Sequence, residues 1–118
     1  MQTLCALVHA CAEAKRVLLT GPIGPDGDSI GAALALQRIL SQRGASVDVA
    51  GSPSYRYRWM PGASSMVPDS DIEPIYDAVV VLDGDCHRLT DPVRAAFDAA
   101  EIRGIIDHHG STRADRYT

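Results

Sequence analysis

Short apolar segments alternating with helical patterns predict an α/β domain, a doubly wound parallel sheet with helices on both faces. The runs Val17-Leu18-Leu19-Thr20 and Ala78-Val79-Val80-Val81-Leu82 are continuous, too short for helices, and closed by Gly21-Pro22 and by Asp83. Such runs read as strands buried on both sides. Helix patterns follow each of them, and strands separated by helices imply right-handed crossovers and a parallel sheet.

The elements follow in order. Leu4, Leu7, Val8 and Cys11 recur at i, i+3, i+4 and i+7, which predicts an amphipathic helix over 3–14 with Gln2, Glu13 and Lys15 on its polar side. After the first strand, residues 21–27 are rich in glycine and proline and make a loop. Ala32, Ala33, Leu34, Ala35, Leu36 and Leu40 then predict a helix over 29–43, capped by Asp28 or Ser29 and stopped at Gly44. Val47 to Ala50 alternates as a strand. Residues 51–71 form a long Pro-, Gly- and Ser-rich stretch, with an aromatic and basic island at Tyr55-Arg56-Tyr57-Arg58-Trp59 that has room for a short helix. Asp91-Pro92 opens the last helix, with Asp as cap, Pro at the first helical position, and Val93, Ala96, Phe97 and Ala100 on one face. Ile102 and Gly104-Ile105-Ile106 complete a fourth strand.

The chain of 118 residues, 46% hydrophobic, is enough for one domain over 1–118. Its net charge of -4 argues against a general nucleic-acid coat, and no long duplex is expected as a partner. Three cysteines, Cys5, Cys11 and Cys86, make no disulfide framework and suit a reducing, cytoplasmic setting. No run approaches the ~18 apolar residues of a membrane span, so no membrane partner is expected. A homodimer is left open.

The polar clusters define the expected site. Asp26 and Asp28 follow the first strand, Asp83 the third, and Asp107-His108-His109 the fourth. In open α/β sheets ligands bind beyond the carboxyl ends of the strands, so three separate segments are aimed at one rim. Carboxylates converging with imidazoles repel one another unless neutralised, which points to a divalent cation. Oxygen-rich donors with some nitrogen suit Mn²⁺ or Mg²⁺. Two such ions ~4 Å apart activate water and stabilise the attacking and leaving oxygens on phosphorus, which makes phosphoester hydrolysis the natural reaction class. A lone Asp-Gly-Asp is common turn chemistry; its coincidence with the other clusters favours a metal. Asp85, Cys86 and His87 lack the second Cys/His pair that a zinc site needs. The island from Tyr55 to Trp59 suits either stacking of bases or packing of a loop on the sheet, and packing is the favoured reading.

Pro25-Asp26-Gly27-Asp28-Ser29-Ile30-Gly31, Val80-Val81-Leu82-Asp83 with Arg88-Leu89, and Ile106-Asp107-His108-His109 resemble, in order, the first three motifs of the DHH phosphoesterase family. Arg58-Trp59-Met60-Pro61-Gly62 is similar to an aromatic-Leu-Pro segment between its first two motifs. In particular the chain resembles the branch with oligoribonuclease, phosphoadenosine-phosphate phosphatases and cyclic-dinucleotide phosphodiesterases. The resemblance implies a Rossmann-like N-terminal DHH domain and an Mn²⁺-dependent hydrolase with two ions, acting on small nucleotides or short oligonucleotides. It implies that Asp26 ligates one metal and Asp28 the other, that Asp83 bridges them, and that His108 ligates the second. By the same likeness His109 contacts the scissile phosphate and Asp107 orients the histidines.

Two departures accompany the likeness. Pro22 stands where the first motif opens with a metal-binding His, and neither the family's later metal-binding Asp nor its C-terminal substrate-binding domain follows before Thr118. The alternative expectation is therefore a nucleotide- or metal-binding module without catalysis, and the fold is expected to be truncated.

Overall fold

A computed structural model describes residues 4–21, 27–52, 55–82 and 89–106, the side chains of residues 4, 28 and 55 excepted. Among these, four parallel strands form one sheet: β1 (Arg16–Thr20), β2 (Ser46–Val49), β3 (Ala78–Leu82) and β4 (Ile102–Ile106), in the order β2-β1-β3-β4. Three helices accompany it, α1 (Leu4–Glu13), α2 (Gly27–Gln42) and α3 (Asp91–Ala99). Each strand and helix lies within about two residues of its predicted bounds, the usual uncertainty of element ends.

Strand alternation divides the core into two layers. Val17, Leu19, Ala78, Val80 and Leu82 face one side with Leu7 and Cys11 of α1 and Ile30, Ala33, Leu34 and Leu40 of α2. Leu18, Val79 and Val81 face the other, against Val93, Ala96 and Phe97 of α3 together with Ile72 and Tyr76. The central strands are thus sealed on both faces, as their unbroken apolar runs predicted. Each fully buried Val or Leu of this kind contributes about 1.5–3 kcal/mol.

At one position the fit of helix to sheet depends on the absence of a side chain. A Cβ at Gly104 would lie 2.6 Å from Leu7 Cδ1, so α1 approaches β4 as closely as it does only because residue 104 is glycine. The outer edge at β2 is extended rather than left open, since the Val67 amide donates to the Val49 carbonyl and the Gly51 amide to the Val67 carbonyl.

The two predicted helix caps shift. α2 begins at Gly27, which puts Asp28 and Ser29 inside its first turn instead of before it. In α3 the cap position belongs to Thr90, with Asp91-Pro92 opening the helix. The Thr90 hydroxyl does not cap the helix but donates to Asp69 Oδ2 at 2.7 Å, tying α3 to the 3-10 turn at Asp69–Asp71. At α3 a tertiary partner takes the hydroxyl that stands at the cap position. Among the described residues no helix is long and apolar enough to cross a membrane.

Candidate metal centre

The frame of the site is the carboxyl edge of the sheet. Thr20 is in register with Val81 and Leu82 with Ile106, so β1, β3 and β4 end within one residue of a common level. With neighbouring strands about 4.8 Å apart, the three ends span on the order of 10 Å. From β1 the chain proceeds to α2 on one face, and from β3 to α3 on the other. That reversal sets a topological switch point between β1 and β3, where the crevice of an open α/β sheet forms.

Ser29 fixes the helix to this edge. It is 2% exposed, and its hydroxyl donates to the carbonyl of Leu82, the last residue of β3, at 3.2 Å. The first turn of α2 is thereby held against the end of the strand. Beside it, buried Thr20 donates its hydroxyl to the Gly21 carbonyl at 3.2 Å. The amino end of a 16-residue helix carries a partial positive charge of about +0.5, which favours carboxylates and phosphates nearby. Sequence reasoning offered Asp28 or Ser29 as the cap; the burial and long-range bond of Ser29 follow from the pairing of distant segments, which local patterns do not encode.

Of the expected ligands, Asp28 has its backbone in the first turn of α2. Asp26, Asp83, Asp107, His108 and His109 lie outside the described residues, as do Pro22 and the Asp85-Cys86-His87 segment. Among the described residues no three His, Cys, Asp or Glu side chains gather to hold a metal. The donor chemistry that the sequence supplies after the three level strand ends is carboxylate and imidazole. That set fits a hard divalent cation such as Mn²⁺ or Mg²⁺. Cys11, by contrast, is packed in the core, where burial pushes its thiol from 9.0 up to about 11 and keeps it protonated.

The island at residues 55–59 splits in two. A 3-10 turn covers Tyr55–Tyr57, and Tyr57 and Met60 pack on the core layer beneath α2. Trp59 does not follow them and stays 74% exposed. The loop then turns at Gly62, whose φ of 88° is a left-handed conformation that favours glycine. Packing therefore explains only part of this segment.

This order of strands and helices recurs in a solved structure, an exopolyphosphatase-related protein from Bacteroides fragilis. The TM-score is 0.77 at 21% identity, covering 97% of this chain and 38% of that one. At that identity the likeness establishes the fold, and the present chain spans well under half of the neighbour's length. No curated protein matches the sequence. The class so defined is a Rossmann-like α/β domain whose strands lead in sequence into polar motifs. Residues 16–118 match the DHH family, N-terminal domain, and the chain belongs to that family.

Proposed function

We propose that this chain forms the metal-binding domain of a phosphoesterase acting on small nucleotides or short oligonucleotides. The observation that carries the proposal is the level ending of β1, β3 and β4 around the β1/β3 switch point, each strand leading in sequence into an acidic or imidazole motif. Membership of the DHH family supports a phosphoesterase-type reaction with divalent metal, and the exopolyphosphatase-related neighbour is consistent with phosphorus chemistry.

In this reading Asp26, Asp28, Asp83 and His108 hold the ions, His109 contacts the scissile phosphate, and Asp107 holds the histidines in place. Two divalent ions bound there would supply Lewis-acid activation of water and charge neutralisation on phosphorus. The chain's own contribution is position: Ser29 clamps the helix bearing Asp28 to the strand preceding Asp83. The helix amino end adds a fixed positive partial charge where phosphate charge accumulates.

The experiment is hydrolysis of a short oligoribonucleotide or of bis-phosphorylated adenosine with Mn²⁺. Turnover that disappears in Asp83→Ala is the expected result, whereas turnover unchanged in that variant contradicts the proposal. A second reading, binding without catalysis, is favoured by Pro22 at the place of the first-motif histidine. It predicts Mn²⁺ or nucleotide affinity with no product at all.

A further inference from the structure

We propose that the groove between the outer face of α2 and the Trp59–Gly62 segment binds the nucleoside part of a phosphorylated ligand, with Trp59 as stacking platform and Arg38 as phosphate partner. The inference rests on the nucleotide-acting reading above and adds to it the place that holds the base, which inorganic polyphosphate would leave empty.

The groove encloses about 640 Å³, within the range of small-molecule sites. Gly31, Leu34, Ala35 and Arg38 form one wall, and Trp59 and Met60 stand on the other. The helical residues recur at i, i+3, i+4 and i+7, a single stripe down α2. It starts one turn from the amino end that Ser29 pins to the sheet edge, and descends for about 10 Å at 1.5 Å per residue. A ligand with its phosphate at the rim therefore has a channel for the rest of its length.

Charge selects the ligand's sign. Among the described residues Arg38 is the one charged side chain that lines the groove, and the acid on the adjoining strand β2 is Asp48. Asp48 is moreover engaged by Tyr76, whose hydroxyl donates to it at 2.7 Å and whose ring belongs to the opposite core layer. The groove itself therefore presents a positive group and suits an anion.

The walls select its shape. Trp59 is 74% exposed although Tyr57 and Met60, two residues before it and one after it, reach the core. An indole left in water beside an apolar wall and exposed Arg38 provides a π-face for a base and a guanidinium for its phosphate. Inorganic polyphosphate would use the arginine and leave both the ring and the apolar wall without a partner.

Trp59 is the one tryptophan in the chain, so its emission reports on the groove directly. The chain is titrated in EDTA, which separates binding from turnover, with a pentaribonucleotide and in parallel with tripolyphosphate. Saturable quenching by the oligonucleotide and none by tripolyphosphate is expected. Anisotropy of an end-labelled pentaribonucleotide should show Trp59→Ala binding at least about fivefold more weakly, the scale of one lost base stack. Arg38→Gln should bind about threefold more weakly and with a shallower salt dependence. Both side chains are exposed, and unchanged circular dichroism checks that the variants fold.

Equal quenching by tripolyphosphate, or unaltered affinity in Trp59→Ala, overturns the proposal. A blue shift of Trp59 emission that grows with protein concentration in the absence of ligand assigns the groove to a second copy and overturns it too. Mn²⁺-dependent hydrolysis with the same KM in Trp59→Ala removes the groove but keeps the phosphoesterase. Quenching by the oligonucleotide without any turnover does the reverse.

Discussion

Two aspartates bracket β3 in the sequence, Asp77 before it and Asp83 after it, and the proposed function gives them different tasks. At the amino end Asp77 is a staple. Its carboxylate accepts a hydrogen bond from the Arg16 amide at 3.0 Å, its own amide donates to the Arg16 carbonyl at 2.9 Å, and its carbonyl accepts from the Ile102 amide at 3.0 Å. It thereby ties β1, β3 and β4 together where they begin. Next to it the Arg16 guanidinium lies over the Tyr76 ring, 5.8 Å from the centroid, while the Tyr76 hydroxyl bonds to Asp48. Carboxylates at this end find protein donors.

At the carboxyl end the strands stop level, Ser29 clamps the helix, and the acids come in a series from separate segments. A carboxylate with a backbone amide in reach stabilises the fold. Several carboxylates converging on one edge would need a cation, and that expectation is what makes the edge a candidate site.

The widest separation between the ends should come from Asp83→Ala, which is expected to lower Mn²⁺-dependent hydrolysis by about a hundredfold or more while leaving the denaturation midpoint nearly unchanged. Gly104→Ala, in the middle of β4, should act on both ends together. Its Cβ meets Leu7 at 2.6 Å, and relieving that overlap is expected to cost about 1–3 kcal/mol in urea denaturation. Ser29→Ala should cost about 1–2 kcal/mol and also weaken Mn²⁺ affinity, because the clamp belongs to both fold and site. Asp77→Ala removes an exposed bond and should cost about 0.5–1 kcal/mol, with kcat per folded molecule retained.

The smallest effect is a pH dependence. Burial, and next the hydrogen bond to Asp48, raise the Tyr76 hydroxyl well above its ordinary value of 10.0. From about pH 10 upward the unfolded chain therefore releases a proton that the native protein holds, and stability falls as pH rises. Cys11, raised by burial from 9.0 to about 11, adds a loss of the same sign that begins near pH 9.0. Chemical denaturation across pH 8 to 11 should show this decline, and Tyr76→Phe should flatten it above pH 10.

Much of this was legible in the chain itself because buried parallel strands leave an unambiguous record. Ala78 to Leu82 could be bounded to the residue, since both faces are covered and no polar position interrupts the run. Family membership, too, could be read from three short motifs in order. What sequence could not supply were the long-range partners. Ser29 reads locally as a candidate cap and Thr90 draws no reading at all, yet their hydroxyls bond to Leu82 and Asp69, 53 and 21 residues away. Trp59 likewise carries the composition of a packed loop, and only the three-dimensional arrangement shows its ring left outside while Tyr57 turns in.

The most direct measurement is a calorimetric titration of Mn²⁺ into the wild-type chain, Asp83→Ala and Asp77→Ala, side by side. The account predicts saturable binding in the wild type and in Asp77→Ala, and its loss in Asp83→Ala. Binding that survives in Asp83→Ala, or disappears equally in Asp77→Ala, would contradict the assignment of the carboxyl edge as the metal centre.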